Sequence, residues 1–280
     1  MEMVTRSHAP LRRCGVLLAL VVLAATGCGT SAPGGPTGTP PPGGLTSAAP
    51  AVPDQATLCG AAVDLSIVLN DGPDIGDEPV TPQQVDAAFT EYRVRLEPPL
   101  MALEQNPPPG LKENIDTLAR QARFAIQNKD ATAVSTEEFQ AAVTRLQSYV
   151  VRSCGYPIVR VNAADYAFTG IPPTLAPGPT VFTLTDRGTE PHQLDVYRID
   201  DDTPQPMAEL VKLPEAQSNE VLDGIAGVSV NPGSSETMFT TLTPGRYGVA
   251  CFEPKGSTPE KDGTGPAHAT LGMVGEFTVS

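Results

Sequence analysis

The chain has 280 residues, 40% of them hydrophobic, with 18 basic against 32 acidic side chains, a formal charge of -14 and a pI near 4.5. That length suits one or two domains, each able to bury a core. The acidic balance excludes nucleic-acid binding, because nothing supplies the basic face that phosphate neutralisation requires.

Residues 1–27 read as an export signal: Arg6, Arg12 and Arg13 precede the uncharged apolar run "GVLLALVVLAAT". At about a dozen residues that run is too short to span a bilayer, which takes about 20. The following "AATGC" resembles the lipobox of bacterial lipoproteins, which implies that Cys28 becomes a lipidated, palmitate-bearing N-terminus on the extracytoplasmic face of the cell membrane. An ordinary secretory signal with a chance cysteine is the alternative. Removal of residues 1–27 takes away three arginines and Glu2, leaving 15 basic and 31 acidic residues, a balance of -16. An anionic membrane surface repels such a chain, so acyl chains and not electrostatics would have to hold it there.

Residues 28–53 are almost entirely Gly, Pro, Ser, Thr and Ala, which cannot bury enough apolar surface to offset chain entropy; they read as a disordered tether. Residues 54–155 carry a helical period. Leu58, Ala62, Leu65 and Leu69 form one stripe, and Val85, Phe89, Tyr92 and Leu96 a second. Leu111, Ile115, Leu118, Ala122 and Ile126 form a third, and Phe139, Val143, Leu146 and Val150 a fourth. Thr81 with Gln84, and Ser135 with Glu138, have the spacing of capping boxes, while "NDGPDIGDEP" and "NPPPG" break the pattern. A small bundle of about four helices is expected. Cys59 falls near its start and Cys154 at its end; in an oxidising compartment a bridge between them would close nearly the whole bundle, the alternative being two free buried thiols.

From residue 156 to 280 the period changes to two. "PIVRVNAADYAF", "TVFTLTD", "HQLDVYRID", "SETMFTTL", "GRYGVACF" and "GEFTVS" are strand-like runs between Pro/Gly turns, which predict a β-sandwich, with a short helix inserted near residues 204–215. Outside residues 1–27 the histidines are His192 and His268, both in this region, and with Cys28 lipidated and Cys59 paired to Cys154, Cys251 is the spare thiol. Cys251 ends an alternating strand on the face shared by Tyr247 and Val249. His268 and Met273 lie five apart with Gly272 between them, so one turning loop can bring both to a common point.

Two imidazoles, a thiolate and a weak axial thioether make a trigonal copper site. Through "DRGTEPHQL", "PGRYGVAC" and "HATLGMVGEFTV" the C-terminal region resembles the cupredoxins, the family of plastocyanin and azurin. The resemblance implies a Greek-key sandwich, one type 1-like copper held by His192, Cys251, His268 and Met273, and one-electron transfer with an envelope redox partner. It departs from the family in the sixteen residues between Cys251 and His268, where a few are usual, so the angle between sulfur and imidazole must be fixed by packing. A copper carrier would carry Met-rich or His-rich tracts, which are missing; a metal-free interaction module is the other alternative. Enzymatic chemistry is not expected, since both histidines are committed and none is left for a second copper centre or a catalytic base.

Overall fold

The computed structural model describes residues 54–75 and 80–280. The signal peptide, Cys28 and the tether expected over residues 1–53 lie outside the described residues, within which no helix is long and apolar enough to cross a membrane.

Four helices come first: α1 (Gln55–Asp71), α2 (Pro82–Gln105), α3 (Lys112–Asn128) and α4 (Glu137–Ser153). Asp54 caps α1 by accepting the Thr57 N–H at 2.8 Å. At α2 the capping box forms as the spacing predicts: Thr81 Oγ1 accepts from Gln84 N, and the Gln84 side chain accepts from Thr81 N. The second box does not form. Thr136 caps α4 by accepting from Phe139 N at 3.2 Å, while Ser135 closes a preceding 3-10 turn. Glu138 turns instead to Arg120, at 2.9 Å, because the neighbouring helix offers its carboxylate a cation. The α2 helix also runs through Pro98 and Pro99, although each ring removes a backbone donor. Leu96, Leu100 and Leu103, all wholly buried, hold it in register across the interruption.

The strands are β1 (Ile158–Ala164), β2 (Ala167–Thr169), β3 (Thr174–Leu175), β4 (Gly178–Asp186), β5 (His192–Ile199), β6 (Leu222–Val230), β7 (Ser235–Leu242), β8 (Gly245–Ala250) and β9 (Val274–Val279). Two short helices, α5 (Met207–Leu210) and α6 (Glu215–Ser218), replace the single insert expected between β5 and β6. One sheet has the order β2-β1-β4-β7 and the other β3-β9-β8-β5-β6. The run "PIVRVNAADYAF" is a hairpin and not one strand: it reverses at Asp165 and Tyr166, where Tyr166 takes φ 67°. Asp165 pins that reversal by accepting the Thr189 N–H at 2.9 Å.

Alternation places Val159, Val161, Phe182, Leu184, Leu194, Val196, Val249, Cys251 and Phe277 in one apolar core between the sheets. Val181 and Phe239, on the opposite face of the first sheet, join the helical core formed by Leu65, Leu96, Leu118 and Leu146. Helices and sandwich thereby share apolar packing, and β4 is buried on both faces.

Cys59 and Cys154 form a disulfide across 95 residues of chain, with their Cα atoms 5.6 Å apart. On the chain-entropy account a loop of that length stabilises the fold by about 4 to 5 kcal/mol. The Cys59→Ser/Cys154→Ser double variant should therefore unfold at markedly lower denaturant than the oxidised protein. Equal midpoints in urea titrations would show that the bridge contributes no stability.

Candidate metal centre

His192 opens β5, and its pairing opposite Val230 turns the ring into the end of the sandwich. Cys251 follows the last residue of β8, on the inner side with Tyr247 and Val249 as the alternation predicts. His268 begins a 3-10 turn, His268–Leu271, that ends on Gly272 at φ 112°, a backbone that L side chains rarely adopt. That turn brings Met273 N back to His268 O at 3.1 Å, and Cys251 N donates to Met273 O at 3.2 Å. His192, Cys251, His268 and Met273 are each 0% exposed.

The sixteen-residue insert does not loosen this arrangement, because it is tied off at its neck. Pro254 bridges Ala267, His268 N donates to Glu253 O at 2.9 Å, and Ala269 N donates to Cys251 O at 2.7 Å. Cys251 and His268 are held as a short connection would hold them, and the remainder of the insert closes on itself through Thr258 and Lys261.

The donor atoms of His192, Cys251 and His268 lie within 4.8 Å of one another. Nδ1 of His192 is 3.2 Å from Nδ1 of His268, and Cys251 Sγ is 3.9 Å from the first and 3.5 Å from the second. An ion about 2.0 Å from each nitrogen and about 2.3 Å from sulfur would subtend angles of about 106°, about 109° and about 130° at these separations, close to a plane. The three donors therefore fit one trigonal metal ion. Met273 belongs to the same apolar cluster as Cys251.

Behind the rings stand three carboxylates that the sequence reading did not single out. His268 Nε2 is 2.9 Å from Glu190 Oε2. His192 Nε2 faces Asp165 Oδ1 at 3.4 Å and Asp186 Oδ1 at 3.9 Å. Their only sequence signal was acidity close to a histidine: Asp186 and Glu190 fall in "DRGTEPH", whereas Asp165 arrives through the β1–β2 reversal. Gly188 lets the chain pass, since a Cβ there would come 2.4 Å from Asp165 Oδ1 and 2.6 Å from His192 Nε2.

Burial dominates the titration of the site. It pushes the Cys251 thiol from 9.0 up to about 12, against hydrogen bonds from the backbone of Gln193 and Glu253 that favour the thiolate. It also lowers the pKa of His192, opposed by Asp186, and raises that of Asp186. Burial acts to raise Glu190 too, but hydrogen bonds from Gly256, His268 and Tyr166 outweigh it and hold the carboxyl below its usual range.

Among known proteins, no family model matches the chain, and no curated protein matches it. Solved structures do. An auracyanin from the photosynthetic bacterium Roseiflexus castenholzii is 22% identical, with 44% of this chain and 96% of that one covered and a TM-score of 0.30. Auracyanin A of Chloroflexus aurantiacus, described as a "blue" copper protein, is 16% identical over 45% of this chain and 100% of its own, with a TM-score of 0.30. Rusticyanin from Thiobacillus ferrooxidans is 21% identical over 44% and 77%, with a TM-score of 0.27. At such identities and scores, the site is judged on its own donors.

The metal-free protein has a defined alkaline limb. Its folded thiol keeps a proton to about 12 whereas the unfolded one loses it near 9.0, so the folded state binds more protons over that interval and stability falls as pH rises through it. Unfolding free energy should decline by about 1.4 kcal/mol per pH unit more steeply in the wild type than in Cys251→Ala between about pH 9 and 11. Parallel pH profiles for the two proteins would contradict this account of the thiol.

Proposed function

We propose that this chain is an exported, lipid-anchored one-electron carrier whose cupredoxin-like domain binds a single copper through His192, Cys251, His268 and Met273. One observation carries the reading: two imidazole nitrogens and a thiol sulfur from three distant segments converge within 3.9 Å of one another in the buried end of the sandwich.

The donor set selects the metal. A thiolate with an adjacent thioether favours copper over the hard cations, and zinc gains little from methionine. Copper bound there would supply one-electron chemistry by cycling between Cu(I) and Cu(II). The protein supplies a fixed cage. Gln193 N donates to Cys251 Sγ at 3.2 Å, stabilising the sulfur as a thiolate once its proton is displaced. The backbone bonds among Cys251, Ala269 and Met273 keep the donors from rearranging when the charge at the centre changes. An electron can leave such a buried site, but a metal ion handed to a partner must first be uncovered. Full burial of every donor thus favours an electron carrier over a copper carrier. Outside residues 1–27, both histidines of the chain are used here, which leaves none for a second copper cluster or a catalytic base and supports a carrier over an oxidase.

Copper(II) added to the purified metal-free protein should bind one ion per chain and produce an intense visible thiolate charge-transfer band, both lost in Cys251→Ser. No band, with metal uptake indifferent to Cys251→Ser, would favour a metal-free interaction module.

The anchor is a separate matter, resting on "AATGC" and on an acidic chain that has no electrostatic hold on a membrane. Cys28→Ala expressed in a bacterial host should move the protein from the membrane to the soluble fraction and abolish incorporation of labelled palmitate. Unchanged fractionation would refute lipid anchoring through that residue.

A further inference from the structure

The two histidine rings present an electrostatic puzzle in the region around the centre. Their Nδ1 atoms are 3.2 Å apart, and Cys251 Sγ completes a triangle with them. The opposite nitrogens face carboxylates: Glu190 for His268, and Asp165 with Asp186 for His192. A carboxylate can only accept, so a neutral ring beside one carries its proton on Nε2. For His268, whose Nε2 meets Glu190 at 2.9 Å, this leaves Nδ1 as a lone pair directed towards His192 Nδ1 and Cys251 Sγ.

Glu190 is held through both of its oxygens. Its Oε2 also accepts from Gly256 N, in the insert, at 2.7 Å, and Tyr166 OH donates to its Oε1 at 3.2 Å. One side chain thus joins the histidine, the β1–β2 reversal and the insert. The ammonium of Lys255 sits 5.3 Å from the centre of the Tyr166 ring, which itself meets the His268 ring edge-on at 4.9 Å.

We propose that Glu190 is a positioning residue: it fixes His268 as the Nε2–H tautomer with Nδ1 free to ligate, and its negative charge, passed through the ring, biases bound copper towards the oxidised, more highly charged ion. Hydrogen bonding to a carboxylate makes a ligating imidazole more basic and orients it. Because the charge of the centre rises by one on oxidation, an anion held behind the ring stabilises Cu(II) more than Cu(I). The inference rests on the copper-binding reading for its redox half only, since the tautomer is a property of the metal-free protein.

The test has two arms. In the first, nitrogen-15 NMR of the imidazoles in the metal-free protein should show the His268 proton on Nε2 in the wild type, and a shift towards the other tautomer in Glu190→Gln, whose amide can donate as well as accept. A wild-type His268 protonated on Nδ1 overturns the proposal whatever the protein binds. In the second arm, competition of Cu(II) and of Cu(I) against chelators is compared for wild type, Glu190→Gln and Glu190→Ala. Glu190→Gln should lose about tenfold to a hundredfold in Cu(II) affinity and a smaller factor in Cu(I) affinity, raising the reduction potential. Equal losses for both ions, or none, overturn it, because a merely structural residue would not distinguish oxidation states. Glu190→Ala should in addition speed tryptic cleavage at Lys255 and Lys261, since the insert loses its tie at Gly256, whereas Glu190→Gln keeps an acceptor there and should digest like the wild type. Failure of the wild type to bind copper sinks the functional reading alone, and the tautomer arm still decides the role of Glu190.

Discussion

Two imidazole nitrogens and a thiol sulfur meet in a dry interior only where the surrounding chain holds them there. That constraint organises the C-terminal half of the molecule. His192 comes from the start of β5, Cys251 from just past the end of β8, and His268 from the turn before β9. In the sheet, β8 lies between β5 and β9, so all three positions fall at one end of adjacent strands. The sandwich core beneath them is ordinary: Leu194, Val196, Val249 and Phe277 fill it, and it sets the distance across which the donors face each other.

The insert shows how a long connection can be made to act as a short one. Loop length alone weakens the coupling between its ends. Here the Pro254–Ala267 bridge and the backbone bonds at Glu253 and Cys251 take over that role, and the residues beyond the neck are spared for another use. They meet Glu190 at Gly256, behind the buried His268 ring. Carboxylates stand behind both rings, in keeping with the acidity of the whole chain.

The helical region has its ends joined by Cys59 and Cys154 and its core continued by Val181 and Phe239 of the first sheet. Arg123, between Glu97 and Glu104 at 2.8 Å from each, clasps α2 to α3, although all three side chains are part-exposed and such pairs are worth little individually. In this region the described residues contain no histidine and no free cysteine.

Composition and periodicity alone determined the division into helical and β halves, because a period of 3.6 and a period of 2 are local properties that burial on one face imposes on any amphipathic element. The same local reading isolated His192, Cys251, His268 and Met273, since scarce soft donors stand out in a chain that otherwise avoids them. It missed β6, whose Gly224, Ala226 and Gly227 blur alternation; a Cβ on Gly227 would come 2.5 Å from Asp195 Oδ1, so smallness there serves packing across strands. It put the α4 cap one residue early, because the choice between Ser135 and Thr136 depends on Arg120 of another helix drawing Glu138 away. Only the tertiary structure decided that Asp165, Asp186 and Glu190 stand behind the rings and that a sixteen-residue insert is closed at its neck. These are pairings between segments far apart in the chain, and no local period records which carboxylate will meet which nitrogen.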